Sequence, residues 1–422
     1  MSSISLGSCF SEVFAKSTVT KPQVNTVSQS IPLPIDDTVS VQFYRSIDDV
    51  IERWKAVVPA GDTFFGRDFL KALELAPPSD SQFRYALFST EEQGDIGIGY
   101  YQIKTIRLDE SIRFDKDISG SKASRILASV KKSVASRFRA YTLVVGNLTL
   151  TGNYGLCFRD DITVEKKFAL VEQSLEVLKP ILREEGIKVR GVFYKDFSDS
   201  HKMPAEYGYT EFSVQPTMSV NLRPEWKTTD DYVAAMKSKY RVRMRSARKK
   251  AANIEKRVLS ANEVKSYEAD ISRLYRYVSD QAGFNLFVLK DKYFYHLKDQ
   301  LGDQMKVTGY FLNDRMVGFY TSIQTHDALD AHFLGYDNEY NGSCQLYLNM
   351  LYDLVEEGIA LGVDHVDMSR TALEIKSSVG AEPTDLHLYL KLNSKALSKY
   401  TPKLLDFLTP KEEWKARNPF KG

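Results

Sequence analysis

The sequence is poor in cysteine and histidine, the residues that most often build disulfide frameworks and metal centres. Its three cysteines, Cys9, Cys157 and Cys344, are an odd number, lie far apart and include no CxxC pair. This pattern supports neither a disulfide framework nor a cysteine zinc site. The six histidines show no HxxxH or HExxH spacing, so we expect no bound metal. Free thiols suit the reducing conditions of a cytoplasm.

Long apolar runs are also missing. No segment reaches the roughly 18 to 20 uncharged apolar residues that span a bilayer, and the first residues lack the basic start of an export signal. We therefore expect no integral membrane segment and a cytoplasmic location, with a place peripheral to the inner membrane surface as an alternative. Positive and negative charges are nearly balanced. The chain has 57 Lys and Arg and 55 Asp and Glu, and the net charge of +2 selects no partner.

The length of 422 residues exceeds what one hydrophobic core usually supports, so the sequence predicts two domains. Residues 1–38 are rich in Ser, Thr, Val and Pro, a composition that predicts a flexible leader. We assign an amino-terminal domain to residues 39–222, a carboxy-terminal domain to residues 223–398 and a tail to residues 399–422.

The carboxy-terminal half alternates strand and helix patterns. Two β-rich runs on either side of the polar turn 312–315 predict a hairpin, and a third strand follows at Leu329–Tyr336. Residues 337–343 predict a polar loop before a helix that ends at Gly362. A strand, a short helix and a last strand complete the order, at residues 363–368, 371–379 and 386–392.

The amino-terminal half repeats this order loosely, with a strand, the polar loop 149–161, a helix that ends at Gly186 and another strand. Two pairs of glycines hold matching places, Gly186 with Gly362 and Gly208 with Gly380. The sequence therefore predicts an α/β (α+β) fold in which two tandem domains each form a mixed, mostly antiparallel sheet flanked by helices.

This plan resembles the GNAT (acyl-CoA N-acyltransferase) fold, and its duplication resembles the Fem-type and related bacterial acyltransferases of peptidoglycan biosynthesis. Residues 369–381, SRTALEIKSSVGA, and the basic segment that precedes this half carry the second resemblance. The resemblance is better over residues 226–393 than over residues 41–220, so it implies a degenerate first copy and a donor site in the second copy.

The resemblance implies an acyl-CoA donor, acetyl-CoA or longer, whose pyrophosphate is bound by backbone amides after the central strand and by the head of the next helix. In this chain those positions are Asn341, Gly342, Ser343, Cys344 and Gln345. The chain departs from the family pattern at Glu339 and Cys344. A simpler interpretation is a turn before a helix, with Ser343 as its N-cap.

Amide-forming acyl transfer needs a route for the amine proton and an acid for the departing thiolate. The resemblance places catalytic candidates on the central strand, at His332 and Tyr336, and beyond the next strand, at Arg370 and Glu374. Residues four apart on a strand share a face, so we expect His332 and Tyr336 on one side. Three of the four also have a structural interpretation: a core residue for His332, an ion pair of Arg370 with Asp367, and a capping box formed by Thr371 with Glu374.

Residues 237–257 contain ten Lys or Arg and one acid, and their apolar spacing predicts one amphipathic helix. Arg241, Arg245 and Arg248 lie side by side on it, and with Lys376 they are our candidates for substrate binding. The cationic side could hold the phosphates of coenzyme A, an anionic acceptor, the backbone of a transfer RNA or an anionic membrane. A solvated face that serves solubility is the simpler interpretation.

These patterns and the resemblance together predict an acyltransferase that moves an acyl group from acyl-CoA to an amine, either a small molecule or a cell-envelope precursor. One alternative is transfer of an amino acid from charged tRNA to a cell-wall precursor. Another is a GNAT-fold protein that binds ligands without catalysis.

Overall fold

The computed structural model describes residues 29–107, 139–198, 205–281, 286–394 and 414–421, together with Met203, Thr401 and Leu405. The prediction of a leader therefore lies mostly outside the described residues. Its last part forms a strand, because Ile31–Leu33 pairs antiparallel with the strand that begins at Asp36.

The strands of the described residues form two sheets. The strands are β1 Ile31–Leu33, β2 Asp36–Tyr44, β3 Ser81–Thr90, β4 Gly94–Arg107, β5 Arg139–Val145, β6 Leu156–Phe158, β7 Val189–Phe197, β8 Thr210–Phe212, β9 Thr217–Asn221, β10 Glu255–Val258, β11 Met305–Leu312, β12 Arg315–Gln324, β13 Ala328–Tyr336, β14 His365–Asp367, β15 Glu382–Thr384 and β16 His387–Leu392. The first sheet has the order β1-β2-β3-β4-β5-β7-β16-β8, with β6 beside β4, and the second has the order β10-β11-β12-β13-β14-β9-β15.

Helices flank both sheets, so the predicted fold class is confirmed. They are α1 Ile51–Trp54, α2 Arg67–Leu75, α3 Val164–Glu184, α4 Thr229–Ala235, α5 Ser238–Lys250, α6 Ala261–Ser266, α7 Glu268–Ser279, α8 Tyr293–Leu301, α9 Asn338–Cys344, α10 Leu346–Leu361 and α11 Leu373–Ser377. Among the described residues, no helix is long and apolar enough to cross a membrane.

The matching glycines terminate matching elements. Gly362 follows α10 with a φ of 68°, and Gly186 lies just past α3 with a φ of 82°. Gly380 and Gly208 also have positive φ values, 105° and 68°. Side chains other than glycine adopt such angles at a cost, so the backbone favours glycine at all four positions.

The two sheets exchange strands, which the sequence did not predict. The last strand, β16, is present, but it pairs with β7 and β8 of the first sheet instead of closing the second. In return β9, from the end of the first half, pairs with β14 and β15 of the second sheet. An alternating sequence pattern predicts that a segment forms a strand but not which strand it pairs with. This explains why the last strand was wrongly expected to complete the second sheet. The boundary at residue 222 remains a proposal about sequence units.

Three other predictions need correction. The basic helix ends at Lys250, and Glu255–Val258 forms an edge strand because its backbone pairs with β11. The polar loop after β13 is mostly the short helix α9. The capping box of Thr371 and Glu374 is absent within residues 286–394: α11 begins after Ala372, whose side chain cannot cap it.

One hydrophobic core lies between the two halves. Phe69 and Leu73 of α2 share it with Phe294 and Leu297 of α8, and the face of the second sheet that carries Phe319 closes it. A separate core on the opposite face of this sheet packs α5 and α10 against it. Each fully buried Leu or Phe contributes roughly 1.5 to 3 kcal/mol, so the shared core holds the halves together.

Candidate active site

The site begins where two parallel strands of the second sheet part. β13 and β14 pair in register only at Ala328–His365, Leu329–Val366 and Asp330–Asp367. β14 ends there, whereas β13 continues for six more residues to Tyr336. On the side that β14 has left, the last part of β13 therefore has no strand partner among the described residues, and we call this gap in the strand pairing the opening. Tyr336, at the end of β13, packs on Tyr347 in the first turn of α10.

The first sheet lacks this opening at the matching place. Its parallel pair, β5 and β7, has one register shift after Tyr141 but stays paired to the last residue of β5, where Val145 pairs with Tyr194. The loop after β5 folds back onto the strand end, since a Cβ added to Gly155 would lie 2.5 Å from the amide nitrogen of Gly146. In the first half, the loop after β5 therefore occupies the space beside the end of that strand, whereas the end of β13 in the second half has no strand partner on the matching side within the part of the chain that the structure describes.

A bulge in β13 separates His332 from Tyr336. Tyr320 pairs with Leu334 but Ser322 pairs with Ala331, so β13 contains one extra residue between these points. Thr321 holds the bulge: its hydroxyl donates to the carbonyl of Phe333 and accepts from the amide of Phe333, both at 2.9 Å. The extra residue shifts the alternation of side chains.

His332 and Tyr336 consequently face opposite sides, and the prediction of a shared face was wrong. The Nε2 of His332 lies 2.7 Å from the hydroxyl of Tyr293, in the core between the halves. Tyr336 packs on the other face, with its ring centroid 5.7 Å from that of Tyr347 in α10. Burial raises the pKa of Tyr336, so its phenol stays protonated at neutral pH.

Asp330 lies beside His332 at the end of the paired part of β13. Its Oδ1 is 3.5 Å from the Nδ1 of His332. Burial raises the pKa of Asp330, and the hydrogen bond from His332 acts against that rise. A carboxyl held in this way can exchange a proton closer to neutrality than an exposed aspartate can.

Four of the five predicted donor-binding residues, Asn341 to Cys344, lie in α9, and the fifth, Gln345, is the N-cap of α10. Gln345 joins α9 to α10 in a left-handed conformation, with a φ of 50°. The side chain of Asn341 accepts a hydrogen bond from the amide of Tyr347 at 3.0 Å and so occupies one amide of the helix head. Gly342 and Ser343 are exposed in α9, and the hydroxyl of Ser343 donates to the carbonyl of Tyr340 rather than capping α10.

The segment after β14 is strained. Ser369, Thr371 and Ala372 all have positive φ values, of 60°, 69° and 51°, although none is glycine. Lys376 holds this segment, because its buried Nζ donates to the carbonyls of Ser369 at 3.2 Å and Arg370 at 2.5 Å. Burial lowers the pKa of Lys376 to about 7. Such strain persists only where neighbours enforce it, and it concentrates at functional sites.

Arg370 ties this segment to the first half. Its Nη1 and Nη2 donate to the two carboxylate oxygens of Asp196 at 3.0 and 2.6 Å, and its Nε donates to the carbonyl of Gln215 at 3.0 Å. Lys195 contacts the same carboxylate. Burial alone would raise the pKa of Asp196, but the charges of Lys195 and Arg370 outweigh it, so the pKa is lowered. The ion pair with Asp367 that the sequence suggested is not formed among the described residues.

Glu374 is exposed and forms an ion pair with Arg417, from beyond the second half. Arg417 donates to Oε1 of Glu374 through Nη2 and through Nε, the latter at 3.1 Å. The hydrogen bond from Arg417 lowers the pKa of Glu374, which therefore remains ionised. Both side chains line a cavity of about 520 Å³ between α5, α11 and the chain end.

The three arginines predicted to act together on α5 have different surroundings. Arg248 forms ion pairs of 2.6 Å with Asp353 and Glu356 of α10. Arg241 donates to the carbonyl of Met236, and Arg245 is exposed. Arg248 therefore fastens α5 to α10, and the structure does not bring the three side chains together on one ligand.

Sequence reasoning missed several residues of this region. It singled out neither Asp196 nor Asp330, and only the fold brings Asp196 to Arg370. Lys239 and Arg243 line the cavity, one turn apart on α5, together with Trp414 and Arg417. The i, i+4 spacing of Lys239 and Arg243 could have been noticed, but their partners from the chain end could not.

Parallel strands that part near a helix are what the resemblance to the GNAT fold led us to expect here. Residues 238–377 match the family model Acetyltransf_6, described as an acetyltransferase (GNAT) domain. The predicted GNAT resemblance is therefore confirmed for this segment.

Several solved structures are similar to this chain at low identity. FemX is 10% identical, with 85% of this chain and 99% of that chain covered and a TM-score of 0.48. A tandem GNAT protein from the clavulanic acid biosynthesis pathway is 10% identical, with 84% and 99% covered and a TM-score of 0.46. The Saccharomyces cerevisiae N-myristoyltransferase with bound myristoyl-CoA is 11% identical, with 86% and 81% covered and a TM-score of 0.48. No curated protein matches the chain.

Proposed function

We propose that this protein transfers an acyl group from an acyl-CoA to an amine. The observation that carries the proposal is the opening between β13 and β14, which lies within the GNAT domain segment and beside the head of α10. The thioester arm of the donor would lie along the free part of β13, with its pyrophosphate at Asn341 to Gln345.

The residues present fit such a donor. Exposed Gly342 offers a close approach to the backbone, since a Cβ added there would meet nothing within 4 Å. The positive end of the sixteen-residue helix α10 favours an anion. Glu339 is exposed rather than buried beside these amides, so its charge is screened by water.

The chemistry requires one proton to leave the amine and one to reach the thiolate as the carbon–sulfur bond breaks. We assign proton donation to Tyr336, whose protonated phenol borders the opening. We assign acceptance of the amine proton to Glu374, which is ionised and lines the neighbouring cavity. Arg370 and Lys376 then act as positioning residues, because their polar atoms hold the strained segment.

Binding of acetyl-CoA to the full chain, measured by calorimetry, tests the donor site. Asn341→Asp keeps an oxygen for the amide of Tyr347 but adds a negative charge at the helix head, so we expect at least a tenfold weaker affinity. Asn338→Asp is the matched control: it makes the same change on an exposed residue three positions earlier and should leave the affinity within twofold. Equal effects of both changes, or no binding of acetyl-CoA, would refute the donor site.

Aminoacyl transfer from charged tRNA to a cell-wall precursor is a second candidate. The exposed cations of α5, including Arg243, Arg245 and Lys249, favour it, since they could neutralise phosphates. Binding of charged tRNA that weakens steeply with salt, with no binding of acetyl-CoA, would support this candidate. Failure of both donors to bind would leave the non-catalytic interpretation. The cytoplasmic location and the cell-envelope acceptor remain proposals.

A further inference from the structure

The cavity beside Glu374 is built from three separate parts of the chain. α5 contributes Lys239, Tyr240 and Arg243; α11 and the residue before it contribute Ala372 to Ile375; and the chain end contributes Trp414 and Arg417. We call residues 414–421 the carboxy-terminal strap. The sequence predicted only a tail there.

Several contacts fix the strap in place, so its side chains form a defined side of the cavity. The amide of Lys237 donates to the carbonyl of Pro419 at 2.7 Å, and the amide of Arg417 donates to the hydroxyl of Ser377 at 3.0 Å. Phe420 packs on Trp226, with ring centroids 5.0 Å apart, and fills the space above Gly380. These contacts span both α5 and α11, which places Trp414 and Arg417 opposite Lys239 and Arg243.

The charge of the cavity wall is unbalanced. Its lining contains three cations, Lys239, Arg243 and Arg417, and one carboxylate, Glu374, which gives a net charge of +2. Arg417 is already paired with Glu374. Lys239 and Arg243 are both exposed. No carboxylate of the described residues lies within ion-pair distance of either. Cations one turn apart on a helix repel one another, and a bound anion would relieve that repulsion.

We propose that this cavity binds a phosphate or carboxylate group carried by the acyl acceptor. The acceptor is favoured over the donor because none of the residues Asn341 to Gln345, where the donor pyrophosphate is proposed, lines the cavity. Ala372 of the lining instead belongs to the strained segment after β14, and Leu373 follows directly on it. An anion held by Lys239 and Arg243 would leave the amine of the same molecule near Glu374. This assignment rests on the proposed acyl transfer, but the anion site itself does not.

Calorimetry with inorganic pyrophosphate as the probe tests the site on the full chain at low salt. We expect Lys239→Met with Arg243→Met to weaken pyrophosphate binding at least tenfold. The matched control, Arg245→Met with Lys249→Met, removes two exposed cations from the same helix but outside the cavity, and it should change the affinity less than twofold. Unchanged melting temperatures check that both variants fold.

Three outcomes would overturn the proposal. The first is no measurable binding of pyrophosphate. The second is an equal loss in both double variants, which would show attraction to the charge of α5 as a whole. The third is displacement of pyrophosphate by saturating acetyl-CoA, which would assign the cavity to the donor. Simultaneous binding of both supports an acceptor site. If acetyl-CoA does not bind at all while pyrophosphate does, acyl-CoA transfer and the acceptor assignment fail but the anion site stands.

Discussion

Arg370 and Asp196 come from different halves of the chain, and their side chains form a two-pronged ion pair at the junction of the two. The carboxylate of Asp196 is fully buried, and 17% of the Arg370 side chain is exposed. The pair fixes the strained segment that borders the opening, so the first half contributes to the site of the second although its own opening is filled.

Removal of the Asp196 carboxylate should therefore be costly. Asp196→Ala leaves the charges of Lys195 and Arg370 buried without a partner, and we expect a loss of about 3 to 5 kcal/mol in the free energy of unfolding. Urea denaturation measures it. Asp291→Asn is the control, because its ion pair with Arg276 is 55% exposed on both sides and should be worth less than about 1 kcal/mol. Similar losses in both variants would contradict the buried junction.

Lys376 should give the stability a specific pH dependence. Its pKa is about 7 in the folded protein because of burial, well below the value of an unfolded lysine, roughly 10.4. Between these values the unfolded chain binds more protons, so the contribution of Lys376 to stability rises with pH. The free energy of unfolding of the wild type, relative to Lys376→Met, should increase by about 1 kcal/mol or more from pH 7 to pH 9.

Urea denaturation at pH 7, 8 and 9 checks this dependence, and the difference between the two proteins cancels other titrating groups. Exposed Lys249 provides the control, since Lys249→Met should follow the wild type throughout. A flat difference for Lys376→Met would show that its amine is hydrated rather than buried.

Thr321 should be essential for the bulge in β13. Thr321→Val keeps the shape but removes the hydroxyl that satisfies both the amide and the carbonyl of Phe333, and it should cost about 1 to 3 kcal/mol. The exposed Thr384 allows the same substitution on a strand where no loss beyond about 0.5 kcal/mol is expected. Thermal unfolding distinguishes the two, and equal melting temperatures for the variants would argue against the bulge.

Two glycines near the opening should respond in opposite ways to alanine. A Cβ at Gly335 would lie 2.5 Å from the backbone of Leu274 and Tyr275 in α7, so Gly335→Ala should destabilise by about 1 to 3 kcal/mol. A Cβ at Gly342 meets nothing within 4 Å, and alanine favours helix α9, so Gly342→Ala should stabilise by about 0.5 to 1 kcal/mol. Chemical denaturation of both variants is sufficient, and destabilisation by Gly342→Ala would count against an open helix head.

The sequence predicted those parts of the fold that local patterns determine. The hairpin of β11 and β12 and the helix that ends at Gly362 follow from periodicity and turn chemistry, and both are confirmed. The exchange of β9 and β16 could not be predicted, because these strands pair with residues far away in the sequence, as His365 does with Asn221 and His387 with Phe197. The bulge that separates His332 from Tyr336 could not be predicted either, because no pattern in the sequence marks where β13 takes up its extra residue.

For the candidate site, the sequence identified the region but not the neighbours of each side chain. Arg370 was singled out, but the partner suggested for it was Asp367, whereas its actual partner Asp196 lies 174 positions away. Glu374 was recognised, whereas Arg417 and Trp414 were assigned to a tail. The catalytic and donor-binding roles of the predicted residues remain predictions for the experiments above.

The exchanged strands also constrain the order of folding. β16 lies between β7 and β8, so the first sheet acquires its last interior strand only when residues 387–392 are available. During synthesis on the ribosome, the amino-terminal half must therefore wait, with the edge of β7 uncovered, until nearly the whole polypeptide has emerged. Cutting the gene between its two repeats would yield two incomplete sheets, each lacking a strand that the other piece carries.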